Sequence, residues 1–213
     1  MYSMKKIFIF DVDGTLFDTR EGIVNAFNKV LVEFKKEKLT QNQESRIIGP
    51  SVRDSFINMF NFSNEDSELA TKLYRKYYVE EFIVQSKLYD GVMETLFGLK
   101  RKKCKLCIAT MKTETQIQKL LKIDNLKDLF DIVKAAKDDG SYKKAQMILD
   151  IKGYFGSDYK YYMVGDTNGD YEAAKKAEVE FIGVTYGFGF DDEYHSFLTV
   201  ERLNDLVKYV ENL

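Results

Sequence analysis

The sequence has few of the residues from which thiolate or imidazole metal sites are built. It contains two cysteines and a single histidine, His195. The cysteines form a C-x-x-C pattern, Cys104 and Cys107, inside a segment that its composition predicts to be a strand. Positions three apart in a strand face opposite sides, so the pattern favours a structural role over a redox or metal site. Without a second histidine or further cysteines, a structural zinc site is excluded.

Long apolar runs and an excess of one charge are missing as well. No run approaches the roughly 20 apolar residues needed to cross a bilayer, and the N-terminus lacks the apolar region of a signal peptide. The net charge of -2 excludes the basic field of a nucleic-acid-binding protein. The 213 residues, 45% of them hydrophobic, are enough for a proper core. We therefore expect a soluble cytoplasmic protein with neither a membrane nor a nucleic acid as partner.

The stretch from Lys5 to Leu16 carries the strongest signal in the chain. Its segment Ile7 to Phe10 contains no polar residue, which is typical of a strand buried on both faces inside a parallel sheet. In open α/β sheets, ligands bind beyond the carboxyl ends of the strands. A group of polar or small residues follows this strand at its carboxyl end: Asp11, Asp13, Gly14 and Thr15.

Asp11 and Asp13 are two positions apart, so in an extended chain their side chains point the same way. At about 4 Å, two such carboxylates repel by roughly 4 kcal/mol even at an effective dielectric constant near 20. Either one carboxyl is protonated, or a cation lies between them, and a hard divalent cation is the natural partner of oxygen ligands. Gly14 permits a tight turn, and Thr15 offers a hydroxyl or backbone amide to an anion. The alternative is that Asp13 or Thr15 merely caps a helix.

The rest of the chain divides by its periodicity. Residues 17–85 show helical spacing, with helices at Ile23 to Phe34, from Ser51, and around Leu69, Leu73 and Tyr77, and with aromatic residues Tyr74, Tyr78 and Phe82 as a core. From Gly91, helices alternate with strands at 105–110, 130–133, 161–164 and 181–184. Ser141 is placed to cap one of these helices, and Val200, Leu203, Leu206, Val207 and Val210 predict a closing helix.

Alternating strands and helices predict an α/β fold with a Rossmann-like parallel sheet. We expect five or more strands in a three-layer α/β/α core, residues 1–16 and 86–213, with a small α-helical cap domain, residues 17–85, inserted after the first strand. Three of the strands end in polar residues, namely Asp11 and Asp13, Thr110, and Asp166 with Asp170. If these strands are neighbours, four carboxylates converge, and we infer Mg²⁺ as their counterion. Helix capping is the alternative for Asp166 and Asp170.

These motifs, in this order, resemble the haloacid dehalogenase superfamily of phosphohydrolases. The resemblance rests on Asp11-Val-Asp13-Gly-Thr15-Leu, Thr110, a lysine near 144, and Gly165-Asp166-x-x-x-Asp170. Local features such as Ile48-Gly49-Pro50-Ser-Val-Arg53 and Ala109-Thr110-Met-Lys112 are similar to the phosphoglycolate phosphatase and 5'-nucleotidase-like branch. In that branch a helical cap follows the first strand.

The resemblance implies a role for each matching residue. Asp11 would be the nucleophile that forms an aspartyl phosphate, and Asp13 the general acid and later the base. Mg²⁺ would be held by Asp11, Asp166 and the carbonyl of Asp13, with Asp170 slightly further out. Thr110 and a lysine, Lys144 or as second choice Lys143, would face the phosphoryl group. Substrate contacts would come from Gly14, Thr15, Met111, Lys112 and, from the cap, Arg53, for which an exposed helical arginine is the alternative.

The resemblance thus implies a Mg²⁺-dependent phosphomonoester hydrolase. Its substrate would be a small phosphorylated metabolite such as phosphoglycolate or a nucleoside monophosphate. A β-phosphoglucomutase-like phosphosugar mutase and a non-catalytic phosphate-binding regulator are the alternatives. The sequence leaves the substrate and the oligomeric state open.

Overall fold

The structure is a computed structural model that describes residues 4–48, 51–189 and 197–210. The chain divides into two compact units: a sheet unit, Met1–Asp18 with Leu88–Leu213, and a helical unit, Thr19–Lys87. Both boundaries lie two residues beyond the predicted ones. Gly49, Pro50 and His195 lie outside the described residues.

Within the residues that the structure describes, eight strands form two sheets. The strands are β1 (Lys5–Phe10), β2 (Phe17–Asp18), β3 (Lys87–Leu88), β4 (Lys105–Thr113), β5 (Ile132–Ala136), β6 (Tyr159–Gly165), β7 (Glu180–Val184) and β8 (Leu198–Val200). β2 and β3 make a two-stranded sheet, and the others make a six-stranded sheet in the order β5-β4-β1-β6-β7-β8. All pairs in the large sheet are parallel. The predicted parallel α/β fold is confirmed.

Nine α-helices lie in the described residues. They are α1 (Arg20–Glu33), α2 (Gln41–Arg46), α3 (Val52–Phe60), α4 (Asn64–Tyr77), α5 (Val92–Arg101), α6 (Glu114–Ile123), α7 (Lys144–Phe155), α8 (Asn168–Lys176) and α9 (Asp205–Tyr209). A π-helical turn (Tyr78–Phe82) and 3₁₀ turns (Ile83–Gln85 and Lys127–Leu129) complete the elements. None of the helices in this described part has the length and apolar character that crossing a membrane requires.

The large sheet is covered by helices because β1 is apolar on both faces. Ile7, Phe8, Ile9 and Phe10 are fully buried. Ile7 and Ile9 belong to a cluster with apolar residues of α7 and α8. Phe8 and Phe10 alternate with these isoleucines and therefore point to the opposite face of the sheet. The helices α5 and α6 pack on β4 but have no residue in the cluster with α7 and α8. The result is the expected layered arrangement.

Three local predictions for the sheet unit were wrong. Val200 belongs to β8 and not to a closing helix, because it pairs with Val184 and its carbonyl accepts a hydrogen bond from Thr185 N at 3.1 Å. The third predicted strand begins at Ile132, two residues late, since a 3₁₀ turn precedes it. Ser141 does not cap α7. An Asp139 side chain accepts its N–H at 2.9 Å and keeps it in the loop, and Lys143 is the N-cap instead.

The helical unit has an aromatic core. Phe27 packs on Phe56 and on Tyr74, with ring centroids 4.8 Å apart in both pairs. Tyr74 and Tyr78 are buried, as predicted. The helix predicted around Leu69, Leu73 and Tyr77 is α4. Leu69 is 51% exposed, and the residues that the helix buries are Ser67, Ala70, Thr71 and Tyr74. Tyr74 packs on Phe27 of α1, and α4 contacts both α1 and α3, so packing sets the buried face.

Candidate active site

The polar ends of three adjacent strands, β4, β1 and β6, meet at one edge of the large sheet. β1 is flanked by β4 on one side and β6 on the other. The chain runs outward from β4 to β5 and then returns to β6 on the far side of β1, so the strand order reverses there. Such a reversal opens a crevice outside the carboxyl ends of the strands. Asp11 and Asp166 directly follow β1 and β6, and Thr110 lies in β4 three residues before its end.

Three buried carboxylates form the centre of this site. Asp11, Asp166 and Asp170 each offer an oxygen, and these atoms lie within 4.8 Å of one another. Asp166 and Asp170 are completely buried, and Asp11 is 6% exposed. An all-oxygen set of this kind suits a hard cation such as Mg²⁺. These residues therefore fit a divalent metal, and we call them the carboxylate group.

Lys144, and not Lys143, reaches the carboxylate group. Its Nζ lies 2.9 Å from Oδ1 of Asp11 and donates a hydrogen bond to Asp170. Lys144 is the first residue of α7, while Lys143 is the N-cap and is exposed. The helix start thus turns one lysine of the pair inward and leaves the other in solvent.

Asp166 is fixed from both sides by loop residues. Its Oδ1 accepts a hydrogen bond from Thr15 Oγ1 at 3.1 Å, and its Oδ2 accepts one from the backbone N–H of Phe188 at 2.7 Å. A Cβ atom on Gly187 would lie 2.3 Å from Cβ of Asp166. The glycine therefore lets the loop after β7 close over the carboxylate.

The loop after β7 contributes residues that our sequence analysis missed. Besides Phe188, Tyr186 donates a hydrogen bond from its hydroxyl to the carbonyl of Thr15 at 2.7 Å, and its ring packs on Tyr89 with centroids 4.6 Å apart. The signal available in the sequence is a fifth predicted strand followed by the glycine-rich segment Thr185-Tyr186-Gly187-Phe188-Gly189.

Asp170 takes part both in the capping box of a helix and in the carboxylate group. Thr167 is the N-cap of α8, and its Oγ1 and N donate to Oδ2 of Asp170 at 2.6 and 3.1 Å. The other oxygen, Oδ1, accepts from Lys144. Helix capping and site formation are therefore not alternatives for Asp170, because each uses a different oxygen.

Burial and mutual repulsion make the carboxylate group costly when it is fully ionised. Burial raises the pKa of Asp11 well above its usual range; Lys144 opposes this rise, and Asp170 and Asp166 add to it. Burial, with Asp170, raises the pKa of Asp166 to about 7. Burial lowers the pKa of Lys144, but Asp11 and Asp170 raise it more, so the ammonium stays charged. Three carboxylates against one ammonium leave two negative charges, which one divalent cation would balance.

Asp13 lies beside the carboxylate group and not within it. Its Oδ1 is 2.8 Å from Nζ of Lys112, and the side chain is 24% exposed. Each carboxylate thus has a lysine beside it, Lys144 for Asp11 and Lys112 for Asp13. The sequence predicts either a protonated carboxyl or a shared cation for this pair. Thr110 is buried at the end of the predicted strand, and Met111 beside it is 41% exposed.

Arg53 lies in the helical unit, on α3. Its guanidinium donates a hydrogen bond to Asn64 Oδ1 at 3.0 Å and lies 3.9 Å from Glu68. Its side chain is 39% exposed. These contacts are those of a surface helical arginine, and a substrate contact by Arg53 stays a prediction.

The chain is similar in sequence and in structure to known proteins. Residues 8–184 match a family model described as haloacid dehalogenase-like hydrolase. The chain is 30% identical to a phosphoglycolate phosphatase of Aquifex aeolicus over 97% of both chains. It is 27% identical to the pyrophosphatase PpaX of Bacillus cereus over 96% of both. The crystal structure of a predicted phosphatase from Clostridium acetobutylicum superposes with a TM-score of 0.88, at 28% identity, covering 99% of this chain and 100% of that one.

Proposed function

This chain belongs to the haloacid dehalogenase-like hydrolases, and we propose that it is a Mg²⁺-dependent phosphatase that cleaves a small phosphomonoester through an aspartyl phosphate on Asp11. One observation carries the proposal. The Asp11 carboxylate lies at the end of the central strand, in contact with Lys144 and within 4.8 Å of Asp166 and Asp170. A phosphatase of this family needs such a nucleophile together with positive charge around it.

Asp11 is the proposed nucleophile. A carboxylate oxygen of Asp11 bonds to phosphorus while the bond from phosphorus to the leaving-group oxygen breaks. Asp13 donates a proton to that oxygen as it departs. A water molecule then attacks phosphorus, Asp13 takes its proton, and the bond from phosphorus to Asp11 breaks. Inorganic phosphate leaves, and both carboxyl groups return to their starting states.

Charge neutralisation is the main difficulty of this chemistry, since an anion attacks an anion. Asp11, Asp166 and Asp170, with the backbone carbonyl of Asp13, are the residues proposed to hold Mg²⁺. When bound, the ion supplies positive charge beside the phosphoryl oxygens. Lys144 supplies a second, permanent positive charge at Asp11.

The remaining predicted residues surround the same point. Thr110 is the last residue of β4 before its register with β5 shifts, and it is proposed to donate its hydroxyl to a phosphoryl oxygen. We propose no phosphate contact for the backbone N–H groups of Gly14 and Thr15, because they donate to the carbonyls of Phe17 at 2.9 Å and of Val12 at 3.3 Å. The exposed side chain of Met111 is proposed to contact the leaving group. Each of these roles is an inference from position.

The experiment compares wild type with Asp11→Asn and with Asp158→Asn, which removes an exposed aspartate before β6. With p-nitrophenyl phosphate and Mg²⁺, we expect Asp11→Asn to lose at least about 1,000-fold in kcat and Asp158→Asn to match wild type. EDTA should abolish turnover, and added Mg²⁺ should restore it. Turnover by Asp11→Asn within tenfold of wild type would contradict the proposal.

The substrate class is tested with the same enzyme preparation. Relatives are named for phosphoglycolate and for pyrophosphate, so a panel should contain both, together with nucleoside monophosphates and sugar phosphates. We expect a monoester to give the highest kcat/KM. A higher kcat/KM for pyrophosphate would indicate that the chain is a pyrophosphatase instead.

A further inference from the structure

The end of β4 contains a β-bulge that carries Lys112. Thr110 pairs with Ala135 of β5, and the next register pair is Thr113 with Ala136, so β4 advances by three residues while β5 advances by one. The hydroxyl oxygen of Thr110 accepts a hydrogen bond from the backbone N–H of Lys112 at 3.1 Å. Bulges of this kind occur beside active sites, where they set the direction of a side chain.

The two residues of the bulge point to different environments. The Met111 side chain is 41% exposed, whereas Lys112 is only 5% exposed. A lysine is rarely buried to this degree without a partner, because removing an ammonium from water is costly. Its Nζ lies 2.8 Å from Oδ1 of Asp13. The ion pair with Asp13 therefore offsets the free-energy cost of burying the Lys112 ammonium.

We propose that Lys112 is a positioning residue that holds the carboxylate of Asp13 outside the carboxylate group, where it can reach the leaving-group oxygen. The inference rests on the proposed function. Asp13 is only two residues from Asp11, and its carboxylate is not among the three that lie within 4.8 Å of one another. A cation held by those three would attract Asp13 as well, and the ion pair with Lys112 opposes that attraction. The family resemblance instead implies a substrate contact for Lys112.

For Lys112, a role in positioning Asp13 and a role in binding the substrate predict different dependences of the rate on the leaving group. An alkyl phosphate releases a strongly basic alkoxide, which needs a proton as it departs, whereas p-nitrophenolate is stable without one. A lysine that positions the proton donor therefore matters for the first substrate and little for the second. A lysine that binds the phosphoryl group matters equally for both.

The experiment measures kcat/KM of Lys112→Met for glycerol phosphate and for p-nitrophenyl phosphate. This parameter reports the steps up to phosphoryl transfer, so the shared hydrolysis of the aspartyl phosphate does not mask the difference. We expect a loss of about 100-fold with glycerol phosphate, the size of a typical general-acid contribution, and less than about fivefold with p-nitrophenyl phosphate. The same substitution in an Asp13→Asn background should cause no further selective loss.

Lys105→Met is the matched control, since Lys105 lies on the same strand and pairs with Asp131 at 2.7 Å. It should lower both kcat/KM values equally or not at all. Lys112→Arg, which keeps the charge, should restore part of the loss with glycerol phosphate and also serves if Lys112→Met does not fold. Equal losses for both substrates in a folded Lys112 variant would overturn the inference. An inactive wild type would overturn the proposed function instead.

Discussion

Gly14 and Asp166 are packed so closely that a Cβ atom on the glycine would lie 2.0 Å from Oδ2 of the carboxylate. Gly14 also has a φ of +74°, a backbone conformation that residues with a side chain rarely adopt. Both facts follow from one turn, which brings the loop after β1 against the residue that follows β6. The glycine is therefore required by the site as well as by the turn.

Replacing Gly14 with alanine should disrupt the site. The left-handed conformation alone costs roughly 1–2 kcal/mol with a side chain, and the contact with Asp166 adds to this. We expect a lower free energy of unfolding and loss of most phosphatase activity, measured by urea denaturation and p-nitrophenyl phosphate turnover. Gly153→Ala is the control: this helical glycine has no atom within 4 Å of a built Cβ, so alanine should stabilise the protein by about 0.5–1 kcal/mol. A stable, active Gly14→Ala protein would contradict the packing described.

Mg²⁺ should raise the melting temperature of the protein. A ligand at 100 times its Kd stabilises the folded state by about 2.7 kcal/mol. Asp166→Asn should remove this increment and should also stabilise the metal-free protein, because one buried negative charge is lost. Melting curves in EDTA and in Mg²⁺ measure both effects. Asp158→Asn should behave as wild type, and an unchanged Mg²⁺ response in Asp166→Asn would show that the ion binds elsewhere.

The two adjacent lysines at the start of α7, Lys143 and Lys144, should differ sharply in the effect of their substitution on kcat. Lys144→Met removes the ammonium that lies 2.9 Å from Asp11, and we expect kcat to fall by about 100-fold, as for loss of one charge-stabilising donor. Lys143→Met alters an exposed side chain and should stay within about twofold of wild type. Steady-state kinetics of both variants decide the assignment, which is reversed if Lys143→Met is the impaired one.

Tyr186→Phe should destabilise the loop that carries Thr15. The variant keeps the ring on Tyr89 but leaves the buried Thr15 carbonyl without the hydroxyl that lies 2.7 Å away. Loss of one partner from a buried hydrogen bond costs about 1–3 kcal/mol. Tyr154 is 75% exposed, so Tyr154→Phe should change the free energy of unfolding by less than about 0.5 kcal/mol. Urea denaturation compares the two hydroxyl deletions, and equal values would argue against the contact.

Both cysteines should resist thiol reagents in the folded protein. Cys104 and Cys107 are free and buried, and burial raises the pKa of the Cys107 thiol to about 12. The thiolate is the reactive form, and at pH 8 a group with this pKa is almost wholly protonated. We expect labelling with an aromatic disulfide reagent at pH 8 to be slow in buffer and complete within minutes in denaturant. Rapid labelling of the native protein would show that this part of β4 opens.

The convergence of the site residues could be predicted because it follows from a local pattern and a general rule. Apolar segments that end in Asp11, Thr110 and Asp166 predict strands with polar carboxyl ends, and parallel strands bring those ends to one edge. Convergence at one point also requires the three strands to be neighbours, and the order β4-β1-β6 meets that condition. The resemblance added the choice of lysine, which the start of α7 at Lys144 explains.

Features that depend on pairing between distant segments could not be predicted. The bulge after Thr110 exists only relative to β5, and Val200 is extended only because Val184 lies beside it. Lys112 was recognised as part of the site, but its partner Asp13 follows from tertiary contact. The loop after β7 contacts Asp166 through the backbone N–H of Phe188. Because this contact uses the backbone and not a particular side chain, the sequence does not indicate it.

The position of β1 between β4 and β6 has a consequence for synthesis of the chain. On the ribosome the helical unit, Thr19–Lys87, is continuous and can fold as soon as it emerges. The strand that precedes Asp11, β1, emerges earlier, yet both of its neighbours belong to later segments. β1, with its four fully buried apolar residues, therefore stays unpaired until β4 and β6 emerge, which makes it a segment of the nascent chain that needs protection from aggregation.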